Sequence, residues 1–445
     1  MRRSATTQVA ENPVICELLV DPSLPGFVMP TPGSFPLTRH EIAGVSIREL
    51  AREFGTPVYV YDAAKILERI NDLNAFDVVR YAQKACSNIA ILDLMRRQGV
   101  VVDAVSAGEV HRAIKAGYSA SAIVYTADIF DREALETVVR HKLHVNVGSP
   151  DMIDQLGTVS PGHNITLRIN PGFGHGHSQK TNTGGESSKH GIWHEQIGDC
   201  LLRADRHGIM VTGIHMHIGS GTDLHHLSQV CGAMEKAVDE VGRSITTISA
   251  GGGLPVPYRE SQEYVDLDQY IQLWDATRKR VEAKLGHPIS LELEPGRYLV
   301  AESGYLVSEI RAIKQSGGNT FYLLDAGFNN LARPILYGSY HPMSIAVPEN
   351  RNTREVVVGG PLCESGDIFT QEEGGVVCRR ELPVAEVGDF LILEVAGAYG
   401  FVMSSNYNSK PLTPEVLIQN GRPELIRARQ TLDDLTRGER IPQAN

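Results

Sequence analysis

Between residues 78 and 297, short apolar runs alternate with longer segments of helical spacing, and this alternation constrains the fold more than any other feature of the chain. The runs are VVRYAQKA, VVVDAVS, IVYTAD, HVNVGS, NITLRINPG, VTGIHMHIGSG, TTISAGGG and ISLELEPGR. Segments such as DREALETVVRHK, HLSQVCGAMEKAVDEVG and LDQYIQLWDATRKRVEAKLG lie between them. Successive strands can lie parallel only if a crossover of a dozen or more residues carries the chain back, and these segments are long enough to do so. Eight such units predict a (β/α)8 barrel.

The flanks read differently. Residues 22–36, PSLPGFVMPTPGSFP, hold too many prolines and glycines for a regular element. Residues 1–46 are therefore expected to form an N-terminal extension that packs with the β domain, and helical spacing starts near Ile47. Past Glu302 the strand-like runs YLVSEIRAI, TFYLLDAG, REVVVGG, VVCRRELP and DFLILEVAG follow one another without regular helices between them. The expected division is a barrel over 47–302 and a mostly β domain over 303–445.

A net charge of -11 without a long basic run offers no footprint for nucleic acid or an anionic membrane. Glu11, Asn12 and Pro13 interrupt the opening segment before it can resemble a signal-peptide core, and no stretch is apolar enough to span a bilayer. Six scattered cysteines without a CxxC pair fit reduced thiols in a cytoplasm.

In a barrel the chemistry gathers at the C-terminal ends of the strands. Lys84 closes the first run, Asp103 and Ser106 the second, and Arg168 and Asn170 the fifth. His215 and His217 close the sixth, Gly251, Gly252 and Gly253 the seventh, and Glu294 with Arg297 the eighth. A lone lysine after a strand is most often a solvated surface group, and a triple glycine is most often only a turn. Their convergence on one barrel face is what points to a site. A glycine turn opening onto backbone N–H groups binds phosphate, and barrels place such turns near strands seven and eight. The HMH of His215 and His217 has the two-residue period of a zinc pair, but further ligands are lacking, so no metal is expected. His175 and His177 fall in a Gly-, Ser- and Thr-rich loop over 173–190, read as a mobile active-site loop.

The motifs YAQKA, VDAVSAGE, RINPGFGHGH, GIHMHIGSG, SAGGGLPVPY, EPGRYLVAESG, DAGFNNLARPILYGSYH, GPLCESGD and GAYGFVMSSNYNS resemble, in order from about residue 47 onward, the diaminopimelate decarboxylase family. That family has an alanine-racemase-type (β/α)8 barrel, a C-terminal β domain, pyridoxal 5'-phosphate as cofactor and a homodimer with shared active sites. The resemblance implies that Lys84 holds the cofactor covalently and that Glu294 pairs with its pyridine nitrogen. It further implies that His217 stacks on the ring, that Asp103 orients Lys84, and that Ser220, Gly252, Gly253, Gly296, Arg297 and Tyr399 surround the phosphate. Cys363, reaching into the neighbouring subunit's site, would donate a proton, and Glu364 would bind the substrate's distal ammonium. Arg297, Arg333, Tyr337 and Tyr399 would hold its distal carboxylate. The expected reaction is decarboxylation of meso-2,6-diaminopimelate at its D-centre to L-lysine and carbon dioxide, in the cytoplasm. The chain departs from the commoner YAxKAN pattern, reading YAQKACSN, and its loop over 173–190 is long. The alternatives are a decarboxylase for ornithine, arginine or a carboxylated diamine, or a cofactor-binding regulator without activity. Glu364 with Arg333 argues against the first, and Lys84 with Cys363 against the second.

Overall fold

The computed structural model describes residues 35–174, 183–217, 219, 224–242 and 244–443. Ser220 and the histidines at 175 and 177 lie outside the described residues, as does most of the N-terminal extension.

Eight parallel strands close on themselves: β1 (Val78–Ala82), β2 (Val101–Ala104), β3 (Ile123–Ala127), β4 (His144–Val147), β5 (Asn164–Asn170), β6 (Met210–His215), β7 (Thr247–Ser249) and β8 (Ser290–Leu293). Glu292 of β8 pairs with Val78 of β1, and Ile214 of β6 with Leu167 of β5, which leaves no open edge. These are the eight apolar runs read from the sequence. Polar side chains in the loops after the strands cap the helices that follow. Asn88, Ser106, Asp131 and Asp266 each accept a hydrogen bond from the first turn of a helix. The helices bury one apolar stripe each against the barrel, as Ile91, Leu92 and Met95 do in Ile89–Arg97 and as Trp274 and Val281 do in Leu267–Leu285.

The barrel interior is unusually polar. Arg80 of β1 forks onto Glu292 of β8 at 3.0 and 3.2 Å, and His144 of β4 meets Thr166 of β5 at 2.8 Å. Buried groups of this kind are tolerated only when paired, and here neighbouring strands supply the partners.

The second sheet runs through β9 (Gly304–Ser316), β10 (Asn319–Leu324), β11 (Met343–Ile345), β12 (Thr353–Gly359), β13 (Arg380–Pro383), β14 (Phe390–Leu393), β15 (Glu415–Gln419) and β16 (Arg422–Arg427). It also takes in an early strand, Val58–Asp62, which pairs antiparallel with β9 and parallel with β15. Sequence spacing had assigned the helix Ile47–Phe54 and this strand to the barrel. The pairing differs because Val58 and Val60 bury with Ile47, Leu50, Val307, Ile392 and Val416 in a separate apolar cluster. The described end of the N-terminal segment lies on the same sheet: Arg39 N–H donates to the Ile345 carbonyl, and its guanidinium forks onto Glu394 at 2.9 and 3.0 Å. Among the described residues no helix is long and apolar enough to cross a membrane.

Candidate active site

The C-terminal ends of the barrel strands open into a cavity lined by Lys84, Asp103, Arg168, His215, His217, Gly252, Gly253, Glu294, Gly296, Arg297 and Tyr399. Lys84 stands in the short 3-10 turn Gln83–Ala85 after β1, a turn fixed by the buried Gln83 amide donating to the Asp103 carbonyl at 3.3 Å. Tyr399 comes from the loop after Phe390–Leu393, a strand of the second sheet. It occupies the left-handed region at φ 56, and its N–H donates to the Ala85 carbonyl at 2.8 Å, tying that loop to the lysine turn.

Glu294 is the best supported of these groups. Its Oε2 lies 2.7 Å from Nε2 of His215, and its Oε1 accepts from Ser249 and Asn146, both at 3.3 Å. Burial would raise its pKa, but His215, Arg80 and Arg168 outweigh burial and hold it below the usual carboxylate range. Asp103, a strand away, goes the other way: burial and the charge of Glu294 push it up, against Lys84 and a bond from Thr126. The barrel thus holds one carboxylate firmly ionised next to a second that ionises less readily. Burial, Arg168 and Lys84 push His217 well below the usual histidine range, so a neutral ring lines the cavity.

The GGG turn is steric in origin. A Cβ on Gly252 would lie 2.5 Å from the Glu294 carbonyl oxygen, and one on Gly253, where φ is +108°, would lie 2.4 Å from that of Gly219. The backbone can approach this closely only without side chains, and Gly252 and Gly253 line the cavity.

These features fit pyridoxal phosphate. Asp103 Oδ1, His215 Nδ1 and His217 Nδ1 are buried without a partner among the described residues, as expected of a pocket built around a polar guest. An amine, a buried anion, a neutral aromatic face and a glycine cradle stand around one space.

Two arginines, Arg333 buried and Arg297 half-buried, continue the site toward the second sheet. Arg297 Nη1 donates to the Tyr258 hydroxyl at 2.8 Å, and Arg333 lies 4.8 Å over the ring of the same tyrosine. Tyr337 is close enough to Arg297 to act on its charge. Cys363 and Glu364, by contrast, are exposed and do not line this chain's cavity. Their turn is nevertheless rigid, because Asp367 accepts from Phe328 N–H at 2.7 Å and from Leu362 N–H at 2.8 Å, and Asn408 accepts from Cys363 N–H at 2.8 Å.

The described ends of the loop over 173–190 are pinned. Asn170 Oδ1 accepts from the N–H groups of Gly172 and Gly185, Asp128 holds His190 and Gly191, and Thr183 donates to the His217 carbonyl. Sequence reasoning named Asn170 and Arg168 as strand ends but missed Asn146, Ser249, Tyr258 and His341. The period-two alternation in HVNVG and TTISA was the available signal for the first two, since it puts them on the barrel-facing side. His215, weighed as a zinc ligand, instead has its Nε2 on Glu294.

Residues 63–301 match the family model described as the pyridoxal binding domain of pyridoxal-dependent decarboxylases. Diaminopimelate decarboxylase of Escherichia coli (strain K12) is 55% identical over 413 residues, which cover 91% of this chain and 98% of that protein. A crystal structure of diaminopimelate decarboxylase superposes with a TM-score of 0.88 at 54% identity, covering 91% of this chain and 99% of the other. The Helicobacter pylori diaminopimelate decarboxylase complexed with L-lysine superposes at 0.78 with 31% identity, covering 88% and 98%.

Proposed function

Because the chain belongs to the diaminopimelate decarboxylase family of pyridoxal-dependent decarboxylases, we propose that it removes the carboxyl group at the D-centre of meso-2,6-diaminopimelate and releases L-lysine and carbon dioxide. The observation that carries this reading is the buried Arg333 and the half-buried Arg297, both on Tyr258, beside a cavity that already fits the cofactor. Arg297 also serves the phosphate, but a decarboxylase whose substrate ended in an amine alone would have no use for Arg333.

Lys84 would hold the cofactor, Glu294 would face its pyridine nitrogen, His217 its ring, and Gly252, Gly253, Gly296, Arg297 and Tyr399 its phosphate. Ser220 belongs with the phosphate group of residues on the strength of the motif. When bound, the cofactor supplies an electron sink for the pair left behind by the departing carboxyl group. Glu294, kept anionic by His215, Arg80 and Arg168, gives a proton on the facing nitrogen a permanent counter-charge. His217, kept neutral, packs without adding positive charge to the ring. Asp103, whose charge already feels Lys84, would orient the lysine.

At the far end of the substrate, Arg333, Arg297, Tyr337 and Tyr399 receive the distal carboxylate. Cys363 and Glu364 come from a second copy of the chain. Their exposed but rigid turn supports that reading, because it presents a thiol and a carboxylate outward. The Cys363 thiol gives a proton to the carbon that lost its carboxyl, and Glu364 binds the distal ammonium. The assembly is then a homodimer with shared sites, working in the cytoplasm on a small molecule. The chain divides into residues 47–302 around the cofactor and 303–445 in the β domain, with the segment before 47 and the strand Val58–Asp62 serving the latter. The test is direct: purified protein is given pyridoxal phosphate and meso-diaminopimelate, and carbon dioxide and L-lysine are measured in equal amounts. Absence of lysine with cofactor bound overturns the reading.

A further inference from the structure

A buried arginine is ordinarily held by a carboxylate, yet among the described residues no carboxylate pairs with Arg297 or Arg333. Their acceptors are a phenol hydroxyl and an imidazole nitrogen, neither of them a carboxylate, although, against burial, the two arginines draw the Tyr258 hydroxyl below its ordinary value. Arg297 Nη1 donates to the Tyr258 hydroxyl at 2.8 Å, and its guanidinium lies 5.1 Å from the Tyr399 ring. Arg333, only 6% exposed, stacks over Tyr258 and places Nη1 2.9 Å from Nε2 of His341.

The tautomer of His341 follows from its other nitrogen. Nδ1 lies 3.0 Å from the carbonyl oxygen of Glu394, which can only accept, so Nδ1 carries the hydrogen and Nε2 offers its lone pair to Arg333. The ring is fully buried and stands edge-on to Tyr258 at 5.5 Å. Burial, with Arg333 beside it, keeps the imidazole neutral. The carboxylate closest along this chain of contacts is that of Glu394 itself, and it is turned away. Its oxygens are taken by Arg39 at 2.9 and 3.0 Å and by Ser344 at 2.6 Å.

We propose that Tyr258 and His341 are positioning residues that fix the two arginines through neutral acceptors, so that both positive charges stay uncompensated for an incoming carboxylate. A glutamate at either place would hold the arginines equally well but discharge them. The inference rests on the reading that this pair receives the substrate's distal carboxylate. It adds how the pair is kept oriented without losing its charge, and so why an anion is drawn to it.

The experiment compares His341→Gln with His341→Glu, two side chains of one shape and different charge, in the holoenzyme. Glutamine keeps an acceptor for Arg333, and KM for meso-diaminopimelate stays near wild type. Glutamate pairs with Arg333, and KM rises by about tenfold or more while kcat and the cofactor absorbance hold. Calorimetric binding of glutarate, a dicarboxylate without amines, must follow the same order without any turnover. Tyr258→Phe, which keeps the ring but removes the acceptor of Arg297, decides the matter if the glutamate variant does not fold. It should weaken glutarate by about tenfold or more, the worth of one hydrogen bond to a charged group. Equal KM and equal glutarate affinity in the glutamine and glutamate variants overturn the proposal, as does an unchanged Tyr258→Phe. If wild-type protein fails to decarboxylate meso-diaminopimelate but the variants still rank in this order for glutarate, the substrate reading falls and the neutral-acceptor device stands.

Discussion

Replacing Gly252 by alanine tests the cofactor cradle with the smallest possible change. The new Cβ would lie 2.5 Å from the Glu294 carbonyl oxygen. Against an ordinary non-bonded separation of roughly 3.5 Å, the turn or the end of β8 must retreat by about 1 Å. Glu294 cannot move alone, because its N–H donates to the Gly251 carbonyl at 2.8 Å and its carboxylate is held by His215, Ser249 and Asn146. The displacement therefore falls on the backbone N–H groups that would hold the phosphate. Losing one charge-assisted hydrogen bond there costs about 1.5–3 kcal/mol, so affinity for pyridoxal phosphate should fall by roughly ten- to a hundredfold. The cofactor is stripped, the protein is titrated with pyridoxal phosphate, and the bound form is followed by absorbance, with melting temperature as a check on folding. Gly232→Ala serves as the control. A Cβ there meets nothing within 4 Å, and on the exposed face of Leu224–Val241 it should stabilise the helix by up to about 1 kcal/mol without touching affinity. Wild-type affinity and turnover in Gly252→Ala would show that the turn does not hold the phosphate.

Other outcomes are expected. Lys84→Ala should be unable to retain pyridoxal phosphate after borohydride treatment and gel filtration, whereas wild type keeps it fixed at Lys84; normal decarboxylation by the variant would remove the lysine from its role. Arg333→Met should raise KM for meso-diaminopimelate on the order of a hundredfold and narrow the preference over lysine, with the cofactor spectrum intact; wild-type kinetics would free Arg333 from the carboxylate. Mixing inactive Lys84→Ala with inactive Cys363→Ala should restore activity, because one site of each heterodimer regains both residues, and no recovery after demonstrated subunit exchange would count against sharing. Stability should fall with acid. His144 is lowered from 6.5 to about 4, chiefly by burial and then by Arg80, so between those values the unfolded chain takes up a proton that the folded chain refuses. That costs about 2 kcal/mol at pH 5, and His217 and His341 act in the same direction. Chemical denaturation of wild type and His144→Gln at pH 7 and pH 5 measures it; an equal pH dependence in both proteins would contradict the assignment.

The barrel was legible because its information is local. Each β strand is an apolar run, each crossover shows helical spacing, and the polar residue ending a strand is also the one exposed at the barrel mouth. Lys84, Asp103, His217, Glu294 and Arg297 could be named from that rule, and the structure brings them around one cavity. What needed the fold was long-range. The strand Val58–Asp62 reads like any other apolar run, and only its pairing with β9 and β15, more than two hundred residues away, removes it from the barrel. The hairpin of β15 and β16 was passed over although Asn420–Gly421 is a turn signal, because Pro423 and the charges of β16 hide its strand character. The ionisation of Glu294 belongs to neither Glu294 nor β8. It is set by His215, Arg80 and Arg168 on three other strands. The same holds for Arg333, whose sequence shows a cation while the structure shows that its acceptors are neutral. Apolar periodicity is written into consecutive residues and survives being read one segment at a time. Charge, hydrogen-bond partnership and strand pairing are properties of groups that meet only after the chain has closed.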